Sequence, residues 1–394
     1  MSRRRPLRLA LLAAPMVPIP PPGYAGTERI VSALLDELVA RGHAVTLFGP
    51  GDSTAGAEIV PTVERALWPS GITGDVVPWI QLSIERAWSA HERFDLIHSH
   101  VDTHGFSFAR HCPTPILHTL HGRLDFPGVP DLLDEFRDIP LVAISDSQRR
   151  WKPENNWVAT IHHGLPLDRA PHSDAPGNYL VFVGRVAPEK GVDDAIELAR
   201  MTGMPLRMAA KVHEPEEQQL YAEVVEPAIA EGLVKFQGEL SPTERDSLMA
   251  GALATVMLGA WPEPFGLVAI ESMATGTPVI ARRAGALTET IEHGETGFLV
   301  DDLTEARLAV ALVADLDRRR IRERAVERFS VARMVDEYED VYYRLVDRHG
   351  GRRTAHPVLE AGALAARDSP IAAGWPAVPA TGGQPSPAGR VGDG

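Results

Sequence analysis

The chain has 394 residues, is 44% hydrophobic, and carries 39 basic against 53 acidic side chains, a formal charge of -14. That excess of acid argues against a nucleic-acid partner, which needs Lys and Arg on its binding face. The single cysteine, Cys112, excludes an intramolecular disulfide and a thiolate zinc cluster and points to a reducing, cytoplasmic setting.

The N-terminus, MSRRRPLRLALLAAPMVP, has the basic start, short apolar stretch and small residues of a signal peptide. Arg8 interrupts the apolar run, Pro15 ends it, and an ordinary folded pattern follows, so we read 7–13 as a first buried strand. Further strands are expected at 44–48, 95–99, 115–120, 140–145 and 157–161. A helix over 27–41 joins the first two, with Ile30, Val31, Leu34, Leu35 and Leu38 on one face and Gly42 as its cap. The polar, Pro-rich stretch 169–178 reads as a linker closing a first domain, 1–168.

A second series follows over 179–330. Strands are expected at 179–184, 205–210, 233–237, 253–258, 278–281 and 297–300, with helices at 191–201, 214–230, 241–250 and 264–275 between them. Strand–helix alternation implies two α/β domains in tandem, each a parallel sheet flanked by helices, with ligands at the carboxyl ends of the strands. The charged stretch 318–347 is helical, with 331–348 as a C-terminal helix. From His349 onward Gly and Pro crowd the sequence, and 349–394 reads as a disordered tail. No run of about 18 apolar residues occurs, so membrane contact is at most peripheral.

Chemistry concentrates in the second half. In WPEPFGLVAIE (261–271), Pro264 as first helical residue would place Glu271 on a core-facing side among Leu267, Val268 and Ile270. A buried carboxylate needs a partner; a ligand hydroxyl pair or a neighbouring Arg would serve. Glu263 lies about 12 Å along the axis from it, and the free N–H groups of Phe265, Gly266, Leu267 and Val268 lie between as an anion site. A nucleotide sugar is built in the same order of hydroxyls, diphosphate and hydroxyls. In VGRVAPEKG (183–191), Arg185 and Lys190 follow a strand where a diphosphate needs cationic donors, although a solvated surface pair fits that spacing equally.

Together, GRVAPEKG and EPFGLVAIE resemble the retaining, nucleotide-sugar-dependent glycosyltransferases of family 4, and the resemblance covers most of 7–347. It implies the GT-B fold, two Rossmann-like domains facing across a cleft, with the C-terminal helix crossing back to the first. It also implies that Arg185 and Lys190 hold the donor diphosphate, Glu263 contacts the transferred hexose and Glu271 binds the ribose. The amides of Phe265–Val268 would face phosphate or sugar. The family's Gly-Gly loop is matched by PPPGYAGTE (20–28) at Gly26 and Glu28, with Ala25 in place of the first Gly, where a positive φ would be costly. Its Thr-x-His-Gly is matched at Thr119, His121 and Gly122, which would put His121 near the reacting sugar.

The implied reaction moves a hexose from a UDP- or GDP-sugar to an acceptor hydroxyl on a small molecule, glycan or lipid-linked sugar, with retention. An epimerase or hydrolase on the same fold, and a non-catalytic nucleotide-sugar sensor, are the alternatives. Trp261 is expected to pack rather than to line the donor site. His98, His100, His118 and His121 could converge on a metal, but no carboxylate cluster accompanies them, and Asp315–Asp317 is expected within a helix. We therefore expect no metal or other cofactor, the protein's own cations and helix dipole serving instead.

Overall fold

The structure is a computed structural model that describes residues 4–23 and 25–353. The first sheet contains β1 (Arg8–Leu12), β2 (Ala44–Pro50), β3 (Glu58–Val63), β4 (Leu96–Ser99), β5 (Ile116–Thr119), β6 (Leu141–Ala143) and β7 (Trp157–Thr160). Its order is β3-β2-β1-β4-β5-β6-β7, with every neighbouring pair parallel. The signal-peptide-like stretch thus supplies the central strand, and Leu9, Ala10 and Leu11 are fully buried, as a strand covered on both faces requires.

The second sheet contains β8 (Leu180–Arg185), β9 (Leu206–Lys211), β10 (Val234–Phe236), β11 (Ala254–Met257), β12 (Val279–Arg282) and β13 (Gly297–Val300), in parallel order β10-β9-β8-β11-β12-β13. In each sheet the strand order reverses once, between β1 and β4 and between β8 and β11. Such switch points leave a crevice at the carboxyl ends of the strands. These two doubly wound sheets form the GT-B arrangement.

Most expected elements occur within two residues of their expected bounds, and the exceptions have local causes. No element was expected between 51 and 94, yet β3 and the helix Val77–Ser89 lie there. The 214–230 helix is broken into Pro215–Leu220, a π-helical turn at Tyr221–Val225, and Glu226–Ala230. Pro227 lacks the N–H that would continue an α-helical ladder, and the widened turn accommodates it. The helix expected at 264–275 begins only at Leu267, because Gly266 precedes it at φ 88, ψ 60 and leaves Pro264 and Phe265 in the loop. It is this positive φ that favours glycine at 266, since the neighbour a Cβ would meet, Leu287 Cδ2, is the tip of a side chain that can shift.

The 318–347 stretch is two helices, Arg318–Arg328 and Val331–Arg353. Asp317 does not lie inside a helix; its side chain accepts from the N–H groups of Arg319 and Arg320 and caps the first of them. The second crosses back to the first sheet: Tyr342 OH meets His98 Nδ1 at 2.8 Å, Tyr338 OH meets Thr119 Oγ1 at 3.0 Å, and Arg41 pairs with Asp336 and Glu339. This helix runs past 348 to Arg353, so the expected tail begins later than 349, and residues 354–394 lie outside the described residues. Among the described residues no helix is long and apolar enough to cross a membrane.

Candidate functional site

The loops leaving β8 and β11 run backbone against backbone. Gly191, at φ 68, would place a Cβ 2.4 Å from Gly259 N, and a Cβ on Gly259 would meet Glu189 O at 2.1 Å. Glycine at both positions lets the loops touch, and this contact brings Lys190 Nζ to 2.5 Å from Glu263 Oε1. Glu263 is fixed from the other side by the turn after β12, where Ala286 N donates to Glu263 O at 2.9 Å.

Arg185, the last residue of β8, donates to Glu217 Oε1 at 2.8 Å and Glu189 Oε1 at 2.7 Å. Burial pushes the Glu217 carboxyl up, but the N–H groups of His213 and Glu214 and the Arg185 guanidinium outweigh it and hold the group below its ordinary value. Arg185 is therefore oriented before any ligand arrives, while its remaining donors stay half-exposed. Glu217 was not singled out from sequence; its place in the capping box of Pro215–Leu220 hid its role.

A cavity of about 760 Å³ opens over these groups. Arg185, Lys190 and Glu263 line it together with Gly266, Leu267 and Val268, whose N–H groups start a helix and have no preceding helical carbonyl to bond. From the first domain Gly26 reaches it. Gly26 has an ordinary negative φ; a Cβ there would sit 3.2 Å from Leu267 Cδ1, so its smallness serves close approach between domains. Ala25 is extended at φ -147, ψ 109, so the expected cost of Ala at this position does not arise.

Trp261 corrects an expectation. It lines the cavity, beneath the Arg123 guanidinium at 4.0 Å and near Lys190 Nζ at 5.6 Å, rather than only filling the core. Lys211, at the carboxyl end of β9, also lines the cavity and went unnoticed, although strand-end position was the signal that found Arg185.

Three expected residues are not on the cavity wall. Phe265 is buried between His163, at 4.9 Å, and Phe329, at 5.9 Å between ring centroids. Glu271 is buried one turn behind Leu267, and its partner is the protein: Oε1 pairs with Arg245 at 2.9 Å and with Arg29 of the first domain. Of the two partners the sequence leaves open, the structure shows arginine, so the ribose contact that the resemblance implies is corrected: two arginines balance the charge. Glu271 Oε2 is buried with no hydrogen-bond partner among the described residues.

His121 lies behind the cavity. Its backbone N–H donates to Asp102 Oδ1 at 2.8 Å, its Nε2 meets His100 Nδ1 at 2.9 Å, and its ring stacks on His163. Burial lowers its pKa to about 4, against the opposing pull of Asp102, so the ring is neutral at pH 7. His98, His100 and His163 are likewise held well below their ordinary value by burial first and by neighbouring rings second, and burial takes His118 to about 3. The rings engage tyrosine, threonine and one another.

The first domain contributes three further contacts that no local pattern announces. Ser145 Oγ donates to Pro264 O at 2.8 Å, and Glu289 accepts from the N–H groups of Asp146 and Ser147 at 2.8 and 2.6 Å. These bonds hold the Pro264 loop, and so Glu263, against the first domain.

Two doubly wound parallel sheets, with cations, a carboxylate and a helix start converging between them, are the arrangement of the GT-B class. Sequence models of the families described as Glycosyltransferase Family 4 and Glycosyl transferases group 1 match residues 24–170 and 167–328. The chain is thus a family 4-like GT-B glycosyltransferase. It is 26% identical to a D-inositol 3-phosphate glycosyltransferase of Streptomyces scabiei, over 78% of this chain and 83% of that one. It is 29% identical to a phosphatidyl-myo-inositol mannosyltransferase of Mycobacterium leprae, over 76% and 86% of the two chains. The crystal structure of AviGT4, a glycosyltransferase involved in avilamycin A biosynthesis, superposes with a TM-score of 0.65 at 25% identity, covering 87% of this chain and 98% of that one.

Proposed function

We propose that this glycosyltransferase takes a hexose from a nucleoside diphosphate sugar and passes it to an acceptor hydroxyl with retention at the anomeric carbon. The observation that carries the reading is the convergence of Arg185, Lys190, Glu263 and the Gly266–Val268 helix start in one cavity. The diphosphate lies against the two cations and the helix start, where charge-assisted bonds and the dipole favour it. Glu263 faces the hexose, its carboxylate set by Lys190. Glu271, off the cavity wall and paired with Arg245 and Arg29, is given no ligand contact.

Retention is best served by same-face attack. The bond from the anomeric carbon to the β-phosphate oxygen breaks, the acceptor oxygen bonds to that carbon on the same face, and the acceptor proton passes to the departing phosphate. Arg185 and Lys190 stabilise the charge that develops on the phosphate, and the neutral His121 ring supports the wall behind it. No metal is assigned to this work. The test is incubation with UDP- and GDP-hexoses and candidate acceptors, with and without EDTA, following nucleotide release and the anomeric proton of the product. Inverted product, or activity abolished by EDTA and restored by Mg²⁺ or Mn²⁺, contradicts the reading.

A further inference from the structure

A second cavity, of about 570 Å³, adjoins the first on the side of the first domain and shares Ala25, Gly26, Trp68 and Lys211 with it. It opens onto the proposed donor cavity along this shared wall, from which a hydroxyl could approach; this step rests on the proposed donor site. The charged groups on its wall are unequal. Glu28, Asp102 and Glu239 supply three carboxylates, while Lys211 is the one ammonium and already pairs with Glu239 at 3.0 Å. Of the two histidines on the wall, His100 is held neutral by burial, and His104 is exposed.

Two groups there are poised for a ligand, one of them a half-buried carboxylate and the other a buried ring nitrogen without a partner. The half-buried Glu28 carboxylate lines the cavity, and desolvation raises its pKa against the pull of its own backbone N–H. His100 is 2% exposed, and its Nε2 has no hydrogen-bond partner although Nδ1 is engaged by His121. Asp102 adds a further sign of function: it is the described non-glycine residue with positive φ, at 45°, an arrangement that costs energy and is kept in place by its bond to the His121 N–H.

We propose that this cavity holds the acceptor, and that it selects an uncharged polyol or glycoside whose hydroxyls bond Glu28 and His100, and rejects a phosphate-bearing acceptor. A hydroxyl can donate to the Glu28 carboxylate and accept from or donate to His100 Nε2. A phosphate would enter with close to two negative charges, meet Glu28 and Asp102 without a free guanidinium or ammonium on the wall, and be repelled.

The test uses the full chain and the nucleotide sugar that binds it. Release of nucleotide is measured with myo-inositol, glycerol, methyl glucoside and methyl mannoside, and with the monophosphate of each. At least one neutral compound is expected to stimulate release, with kcat/KM at least about 100-fold above that of its phosphate. Glu28→Gln is expected to reduce acceptor kcat/KM about tenfold or more and to narrow the gap to the phosphate, with the Kd of the nucleotide sugar unchanged. Stimulation by a phosphate equal to that by its neutral parent, or none by any neutral compound while the nucleotide sugar binds, overturns the proposal. Failure of every nucleotide sugar to bind overturns the donor-site reading instead, and this one with it.

Discussion

Replacing Glu271 by Gln removes the charge that Arg29 and Arg245 share, and the structure allows the cost to be worked out. Glu271 and Arg245 have side chains 4% and 5% exposed, and Arg29 is 19% exposed, so water does little to replace the lost partner. Breaking one partner out of a buried pair costs about 3–5 kcal/mol. Two features place this case at the lower end. Arg245 also donates to Asp246 Oδ1 at 3.0 Å, and Asp246, whose carboxyl is raised by burial against the pull of Arg245 and further by the Glu271 charge, ionises more readily once that charge is gone. We expect a loss of about 3 kcal/mol, or roughly 6–12 °C in Tm if the second domain unfolds as a unit of about 150 residues. Urea and thermal denaturation of the ligand-free protein at pH 7.5 measure it. The double mutant with Arg29→Gln should show coupling of about 1 kcal/mol or more between the two domains. If Glu271→Gln is as stable as the parent or more so, the arginines do not carry this carboxylate, and the pairing drawn here is wrong.

Glu263→Gln should cut turnover about 100-fold or more and change nucleotide affinity little if, as proposed, the carboxylate faces the hexose in the transition state; equal losses in nucleotide affinity would move it to the diphosphate. The buried histidines make stability pH-dependent. Their folded pKa values are depressed, so the unfolded chain binds more protons below its histidine pKa of about 6.5, and stability falls as pH drops from there toward the folded values. One unit below 6.5 each histidine costs roughly 1.4 kcal/mol, on the order of 7 kcal/mol for His98, His100, His118, His121 and His163 together. Urea midpoints between pH 8 and 5 should fall steeply below pH 6.5, and a flat profile contradicts neutral burial of the cluster.

The sheets were legible because buried parallel strands read as continuous apolar runs, as in β1 and β12. β3 was not, since as an edge strand it pairs only with β2, carries Pro61, and buries Thr62 alone among its residues. In the site, Arg185, Lys190, Glu263 and the helix start were readable from their place after strands. The Glu271 partners were not. Arg245 and Arg29 stand 26 and 242 positions away in a chain rich in arginine, and sequence alone cannot say which arginine closes on which carboxylate. The same holds for Glu289 and Ser145, which tie the Pro264 loop to the other domain through bonds more than 100 residues apart in sequence. Trp261 was misread because the cavity it lines forms only when the β8 and β11 loops touch.

The central claim is that Arg185 and Lys190 hold a nucleoside diphosphate in the cleft, and calorimetric titration of UDP, GDP and their hexose conjugates tests it most directly. We predict that one nucleotide series binds the parent protein, and that Arg185→Ala and Lys190→Ala each weaken it by about 1.5–3 kcal/mol, the worth of a hydrogen bond to a charged group. Arg185→Ala should also lower stability, since it leaves Glu217 buried without its cation, whereas the half-buried Lys190 can be removed at little cost to the fold. Binding that is unchanged in Lys190→Ala and Arg185→Ala alike, or no binding of either series to the parent, contradicts the account.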